Sequence, residues 1–154
     1  MKRLRILAVG HLKAPHWRQA ADFYHKRLSH TLKFEEQCVK DAAPGLPPER
    51  KKEEEAARLQ KLLRTGDHPI CLDENGASMD SRAFASFLGE IYDRGQTPCF
   101  ILGGAYGLSP ALLRSVARSL SLGRMTFTHE MARVILLEQI YRAENILAGT
   151  GYHH

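Results

Sequence analysis

The chain has 154 residues, of which 44% are hydrophobic and 25% are charged, a size and composition typical of a single globular domain over residues 1–154. The sequence has no apolar run of the roughly 18 residues that span a bilayer, and the apolar run after the basic N-terminus is too short for a signal peptide. The formal net charge of +5 is compatible with a nucleic-acid partner but does not by itself establish one.

In the first half of the chain, the pattern predicts a buried strand over 4–10 and a helix over 16–30, where apolar residues recur at helical spacing. A weaker alternation predicts a second strand over 32–40. The segment 41–48, "DAAPGLPP", holds three prolines and a glycine and is therefore expected to be a loop. A charged helix with a thin apolar stripe should follow over 49–66, with Gly66 just past its end.

The second half continues the alternation, with a strand over 69–73, a turn over 74–78 and a helix over 81–95 that Asp80 or Ser81 caps and Gly95 ends. A fourth strand is expected over 98–102. Ser109 and Pro110 then indicate a helix start, and we expect that helix to continue over 111–123. A short fifth strand at 124–127, "RMTF", and a long helix over 128–149 that ends at Gly149 complete the prediction.

Strands that alternate with helices predict an α/β fold, with a mostly parallel sheet and helices on both of its faces. The last helix is apolar around most of its circumference, which requires cover on two sides. Its own sheet can cover one side, and we expect a second copy of the chain in a symmetric homodimer to cover the other. The alternative is that its own chain covers both sides.

The stretch "FILGGAYGLSP", residues 100–110, follows the fourth predicted strand. Ligands of open parallel sheets bind at the carboxyl ends of the strands, and "CLDENG" and "RMTFTH" follow two further strands. The glycines fit neither G-x-G-x-x-G nor the P-loop pattern, which disfavours a nucleotide phosphate. Spacing alone leaves open whether they serve a ligand or only a tight turn.

Other kinds of site are disfavoured by their spacing. "HEMAR" lacks the second histidine of a zinc protease, the cysteines form no C-x-x-C pair, and no G-x-S-x-G elbow occurs, so we expect no metal. The three cysteines lie in or beside apolar runs, and we expect buried thiols in a reducing cytoplasm.

Four segments together carry a family resemblance: "LDENG", "ILGGAYGLS", "SLGRMTFTHEMARVILLEQIYRA" and the terminal "YHH". In this order and spacing they resemble the RlmH family, small SPOUT-superfamily methyltransferases. The resemblance implies a C-terminal trefoil knot, a cytoplasmic homodimer and S-adenosylmethionine as the cofactor. It also implies methylation of N3 of a pseudouridine in 23S rRNA of the assembled ribosome.

The resemblance further implies a set of site residues. The cofactor would contact Leu72, Gly103 and the run Leu122, Gly123, Arg124, Met125, Thr126 and Phe127. At Gly103 a side chain would occupy the space of the ligand. In the catalytic part, His153 would be the base, and Tyr152 would stack on or hydrogen-bond to the target base. Arg142 would hold an RNA phosphate or a carboxylate near the cofactor. RNA would be held by His129, Arg133 and His154.

Each of these roles has a plainer alternative. Tyr152 to His154 are the last residues of the chain and could fray, Arg142 could pair only with Glu138, and His129 could only cap its helix. The tail also departs from the commoner family pattern, with Gly151 where proline is common and His154 where arginine is common. The alternatives for the whole protein are a SPOUT enzyme acting on another RNA, such as tRNA, and a non-catalytic ribosome-binding module.

Overall fold

A computed structural model describes residues 1–153 of the chain. Five strands alternate with five helices in this part of the chain. In chain order they are β1 (Arg3–Val9), α1 (Pro15–Leu28), β2 (Lys33–Val39), α2 (Pro48–Gln60), β3 (Asp67–Ser78), α3 (Ser81–Asp93), β4 (Thr97–Leu102), α4 (Pro110–Ser115), β5 (Arg118–Ser121) and α5 (His129–Ala148).

The strands form one sheet in the order β2-β1-β4-β3-β5, and all their pairings are parallel. Neighbouring residues of a strand face opposite sides of a sheet. Ile6 therefore packs in the hydrophobic cluster with α1, α3 and α5, whereas Leu7 packs in the cluster with α2 and α4. The predicted α/β fold with helices on both faces is confirmed, and all five strands end at one edge of the sheet.

The helix boundaries follow the predicted signals at most ends. The Asp80 carboxylate accepts a hydrogen bond from Ala83 N at 2.7 Å, and the Ser109 hydroxyl accepts one from Leu112 N at 3.2 Å. Pro110 is the first residue of α4. Gly149 caps α5 in the left-handed conformation, as predicted.

Four predictions differ from the structure. The prediction of a turn over 74–78 is wrong, because β3 continues through these residues to Ser78 and pairs there with β5. The helix expected over 111–123 ends at Ser115, and the next residues form β5, which is Arg118–Ser121. The prediction of a strand at 124–127 is wrong, because these residues form an irregular loop before α5. Similarly, α2 ends at Gln60 rather than at Gly66.

A buried cation fixes the amino-end edge of the sheet. Arg5 of β1 is 4% exposed and forms an ion pair with Asp67. Its guanidinium also donates to the Gln37 side chain at 2.8 Å and to the Leu62 carbonyl at 3.0 Å. The second contact ties the turn that follows α2 to β1.

Helix α5 packs against α1 and α3 as well as the sheet, so its own chain covers more of it than the sequence suggested. Leu136, Leu137 and Ile140 are fully buried there. The outward side of α5 carries Met131, which is 40% exposed, and the half-buried Ile135, Glu138 and Arg142. No helix within residues 1–153 combines the length and apolar character needed to cross a membrane.

Candidate active site

A cavity of about 700 Å³ opens where β4 and β5 end, beside Leu72, Asp73 and Glu74 of β3. It lies at the carboxyl edge of the parallel sheet, the position expected for a ligand of this fold class. The turn after β4 forms one wall, the loop between β5 and α5 forms another, and the first turn of α5 closes it. Its volume lies within the range of small-molecule and cofactor sites, roughly 300–1,000 Å³.

The turn after β4 explains the paired glycines. A Cβ atom on Gly103 would lie 2.5 Å from the carbonyl carbon of Gly107 and 2.6 Å from its oxygen. Gly107 N donates to the Gly104 carbonyl at 3.0 Å, and Gly107 has a φ of +81°, which favours glycine. The expectation that a side chain on Gly103 would occupy the ligand's space is therefore corrected: it would first strike the turn that forms the cavity wall.

The loop between β5 and α5 is held by polar contacts at both ends. The Ser121 hydroxyl donates to the Gly123 carbonyl at 2.9 Å, and the Thr126 hydroxyl donates to Glu74 of β3 at 2.9 Å. The Thr128 hydroxyl accepts from Met131 N at 3.3 Å and caps α5. These contacts place the loop over the cavity and aim the first turn of α5 at it.

The cavity combines an apolar interior with acidic groups at its edge. Leu72, Leu102 and Leu120 supply apolar surface, and Asp73, Glu74 and Glu130 supply carboxylates. Such a lining suits a flat, largely apolar ring that carries hydroxyl or cationic groups. The sequence analysis missed the carboxylates, although Asp73 ends a predicted strand and Glu74 directly follows it.

Two buried cysteines, Cys71 and Cys99, are poor candidates for a nucleophile at the cavity. Burial is the main cause that raises the pKa of the Cys71 thiol, next to the cavity, to about 12. Burial likewise raises the pKa of Cys99 to about 12. Since the thiolate is the nucleophile, both side chains are inert at neutral pH.

The predicted cofactor residues lie together in this cavity, with one exception. The lining includes Leu72, Gly103, Leu122, Gly123, Met125, Thr126 and Phe127. Arg124 is exposed and does not line it. His129 also borders the cavity, where its Nε2 lies 2.9 Å from a Glu130 carboxylate oxygen.

The predicted catalytic residues lie together elsewhere, on the C-terminal half of α5. Arg142 contacts Nδ1 of His153 at 3.2 Å and donates to Glu138 at 2.7 Å, a hydrogen bond that raises the pKa of the guanidinium. The Tyr152 ring packs edge-on against Tyr141, with 4.9 Å between centroids. The tail is therefore docked through residue 153, and the pairing of Arg142 with Glu138 is present. The prediction for His154 lies outside the described residues.

The predicted cofactor residues at the cavity and the predicted catalytic residues on the C-terminal half of α5 are far apart within one chain. At 1.5 Å per residue, α5 separates His129, at the cavity, from Arg142 by about 20 Å along its axis. A side chain cannot bridge that distance, so the tail of a chain does not reach the cavity of the same chain.

Arg133 does not occupy the RNA-facing position predicted for it. It is 2% exposed, and its guanidinium donates to the carbonyls of Gly10 at 2.8 Å and Val9 at 3.3 Å. It also lies 3.5 Å from Glu36. The prediction is corrected because Arg133 links α5 to the ends of β1 and β2 and leaves no surface for a phosphate.

Comparisons with known proteins show which proteins this chain is similar to. A family model described as a predicted SPOUT methyltransferase matches residues 1–153. The chain is 48% identical over 155 residues to ribosomal RNA large subunit methyltransferase H of Nitratidesulfovibrio vulgaris strain DP4, covering 100% of this chain and 99% of that protein. It is 44% identical over 154 residues to the protein of the same name from Lawsonia intracellularis strain PHE/MN1-00, covering 99% and 98%. Among solved structures, it resembles a protein described as a probable methyltransferase from Bordetella pertussis Tohama I, with a TM-score of 0.58, 14% identity and coverage of 93% and 96%. At that identity the structural likeness shows the fold alone.

Proposed function

The chain belongs to the SPOUT methyltransferase family, whose sequence model it matches over residues 1–153, and we propose that it methylates N3 of a pseudouridine in 23S rRNA of the assembled ribosome. The full-length similarity to ribosomal RNA large subunit methyltransferases H carries this proposal. The cavity beside β3 and at the ends of β4 and β5 supports it, because all the residues that the resemblance assigns to the cofactor except Arg124 line this cavity. An enzyme with this substrate works in the cytoplasm.

The cavity fits S-adenosylmethionine by its size and lining. Leu72, Leu120 and Leu122 would contact the adenine, while Asp73 and Glu74 have the chemistry to accept hydrogen bonds from ribose hydroxyls or the ammonium group. When bound, the cofactor supplies a methyl group activated by a sulfonium. The contribution of the chain is to hold that group in line with the attacking nitrogen and to keep water away.

The proton on N3 of the target base has to leave, and we assign its removal to His153 in the tail. Arginine only donates hydrogen bonds, so in its contact with Arg142 the Nδ1 atom of His153 accepts and the ring proton lies on Nε2. His153 can accept a proton only after Arg142 turns away. An RNA phosphate that recruits Arg142 would free this nitrogen, which couples substrate binding to the availability of the base.

The distance along α5 supports a homodimer in which each tail serves the partner's cavity. The outward side of α5 carries Met131, Ile135, Glu138 and Arg142 at helical spacing. If two copies of α5 pack antiparallel across this side, the C-terminal half of one lies beside the N-terminal half of the other. The tail of the second copy then approaches the cavity of the first, which the first copy's own tail does not reach. In this position Tyr152 would lie against the target base.

RNA contacts around the site fall to fewer residues than the sequence suggested. We keep His129, at the cavity rim, Arg142 and His154 as candidates to hold the rRNA. Arg133 is excluded by its burial. The trefoil knot of the family is part of the same proposal, since threading of the chain through the turn after β4 would bring the loop 122–128 over the cofactor.

The proposal is tested with ribosomes from a strain that lacks its own enzyme of this type. We expect the purified protein to transfer a labelled methyl group from S-adenosylmethionine to 23S rRNA, and mass spectrometry of the digested RNA to identify N3-methylpseudouridine. Naked rRNA and total tRNA serve as control substrates. Methylation of tRNA instead, or no methylation with normal cofactor binding by calorimetry, would contradict the proposed substrate.

Sharing of the tail is tested with mixed dimers. One subunit carries Gly103→Val, which spoils its cavity, and the other lacks residues 152–154. If the tail serves the partner, the mixed dimer keeps one intact site and recovers up to half the wild-type rate. If the tail serves its own chain, both sites are damaged and no activity returns.

A further inference from the structure

A second cavity of about 1,000 Å³ lies at the ends of β1 and β2, beside the first. The two share a border formed by Ala105, Tyr106 and His129. We call the second cavity the basic groove, because its lining contains four cations, Lys13, Lys40, Lys51 and Arg58.

Three of the four cations of this groove are available to a ligand. Lys13 and Lys40 are exposed, Lys51 is half-buried, and within residues 1–153 none of the three forms a salt bridge. Arg58 is engaged, since it donates to the Lys40 carbonyl at 2.7 Å and lies 3.6 Å from Glu54.

Two carboxylates also line the groove. Glu55 is 8% exposed and accepts a hydrogen bond from Ala42 N at 3.0 Å, so its charge serves the loop after β2. Asp41 is exposed. The lysines therefore leave a positive surface after both carboxylates are counted, which suits a chain of phosphates and not a cationic or neutral ligand.

An aromatic side chain stands at the junction of the two cavities. Tyr106 lies at the tip of the turn after β4 and is 56% exposed. The ammonium group of Lys51 lies 5.3 Å from the centre of its ring. An exposed ring beside a lysine, at the rim of a cofactor cavity, offers a stacking surface for a base and a contact for its phosphate.

We infer that the basic groove binds the single-stranded RNA next to the target nucleotide, with phosphates on Lys13, Lys40 and Lys51 and a base stacked on Tyr106. This inference rests on the proposed function, since it assumes an RNA substrate at the neighbouring cavity. Proteins that read single strands combine a positive groove with exposed aromatic rings. The shared border lets one strand occupy the groove while its next nucleotide enters the active site.

The lysines are tested as a set. The triple variant Lys13→Gln, Lys40→Gln and Lys51→Gln is compared with a control, Lys26→Gln, Lys33→Gln and Lys61→Gln, which removes the same charge from exposed residues outside both cavities. In the groove variant we expect KM for ribosomes to rise roughly tenfold. The slope of log affinity against log salt for a labelled ten-nucleotide RNA should fall by about 0.7 per lost contact, about two in total. Calorimetric affinity for S-adenosylmethionine should not change, and the control should match wild type.

The stacking role is tested with Tyr106→Ala and Tyr106→Phe. We expect the alanine variant to bind the ten-nucleotide RNA roughly tenfold more weakly and phenylalanine to restore wild-type affinity, because stacking needs the ring and not the hydroxyl. An alanine variant that binds RNA normally would overturn the stacking assignment. So would one that loses affinity only for S-adenosylmethionine.

Failure of this inference is distinct from failure of the proposed function. If wild-type protein methylates ribosomes but the groove variant keeps the KM and salt slope of the control, the groove does not bind RNA and the function stands. If the variant loses affinity for ribosomes but not for the short RNA, the groove contacts another ribosomal component and the inference is overturned. Wild-type protein that methylates no RNA would count against the function itself.

Discussion

Replacement of Gly103 by alanine tests why β4 ends in glycine. The added Cβ atom would lie 2.5 Å from the carbonyl carbon of Gly107, 2.6 Å from its oxygen and 3.0 Å from its Cα. All three atoms are backbone, so no side chain can rotate to relieve the contact. The turn over 103–107 therefore has to move, and that turn is a wall of the cofactor cavity.

The expected cost follows from this geometry. Forcing an extra carbon into a packed site typically costs about 1–3 kcal/mol. For a domain of this size each kcal/mol lowers the melting temperature by roughly 2–4 °C, so we expect a decrease of about 2–12 °C. Because the turn that has to move lines the cavity, affinity for S-adenosylmethionine should also fall, by about tenfold for every 1.4 kcal/mol of misfit.

The assay compares Gly103→Ala with Gly45→Ala. A Cβ atom on Gly45 meets nothing within 4 Å, so the control should melt and bind like wild type. Thermal melting without cofactor reports the strain, and titration calorimetry reports the affinity. If Gly103→Ala matched the control in both measurements, the turn would relax freely and our account of the cavity wall would be refuted.

Three further predictions concern the tail, α5 and the buried thiols. Deletion of residues 152–154 should leave cofactor affinity unchanged and abolish methyl transfer; full turnover by the truncated protein would remove the tail from the mechanism. Arg133→Met should lower the free energy of unfolding in urea by about 2–5 kcal/mol, since it leaves the carbonyls of Val9 and Gly10 without their buried donor and removes one of the two basic side chains that contact Glu36. A loss of RNA affinity with stability unchanged would show that the residue acts at the surface instead. The fold raises the pKa values of Cys71 and Cys99 from 9.0 to about 12, so their ionisation favours the unfolded chain. The free energy of unfolding should therefore fall above pH 9 by about 1.4 kcal/mol per pH unit for each thiol. Melts of the double alanine variant should show a shallower decline, and equal slopes would contradict the raised pKa values.

The elements that the sequence predicts well are those with local boundary signals. Asp80, Ser109 and Pro110 supply helix starts, and Gly95 and Gly149 follow helix ends. These residues act on backbone groups within a few positions of themselves, so their effect can be read without knowledge of the fold. The first, second and fourth strands are found close to the predicted positions, whereas β3 runs on to Ser78, through the residues predicted to turn.

The fifth strand shows where local reading fails. Leu112, Val116 and Leu120 recur every four residues, a spacing typical of a helix. The structure instead ends α4 at Ser115, and Leu120 pairs with Leu72 and again with Ala77 of β3. Pairing of a four-residue strand with a distant strand outweighs a weak local preference, and no nearby residue encodes it.

The candidate site also has a part that the sequence predicts and a part that it does not. The cavity could be located because its walls follow directly from strand ends, whereas the roles of individual residues could not. Arg133 and Arg142 are both arginines on the last helix, yet one is buried against the carbonyls of Val9 and Gly10 and the other is half-buried on its outward side. Which face of the helix meets the sheet depends on the packing of α1 and α3, and that packing separates a structural cation from a candidate for RNA.

The arrangement of α5 connects these observations. Its first turn closes the cofactor cavity, its buried face holds the sheet through Leu136 and Ile140, and its last turns carry the tail about 20 Å away. A single copy therefore contains both halves of the proposed chemistry without bringing them together. A base has to lie within hydrogen-bond reach of the proton that it accepts, so the proposed role of the tail requires either a second copy or a large movement of the tail. The ordered contacts of Arg142 with His153 and of Tyr152 with Tyr141 hold the tail against α5 and favour the second copy.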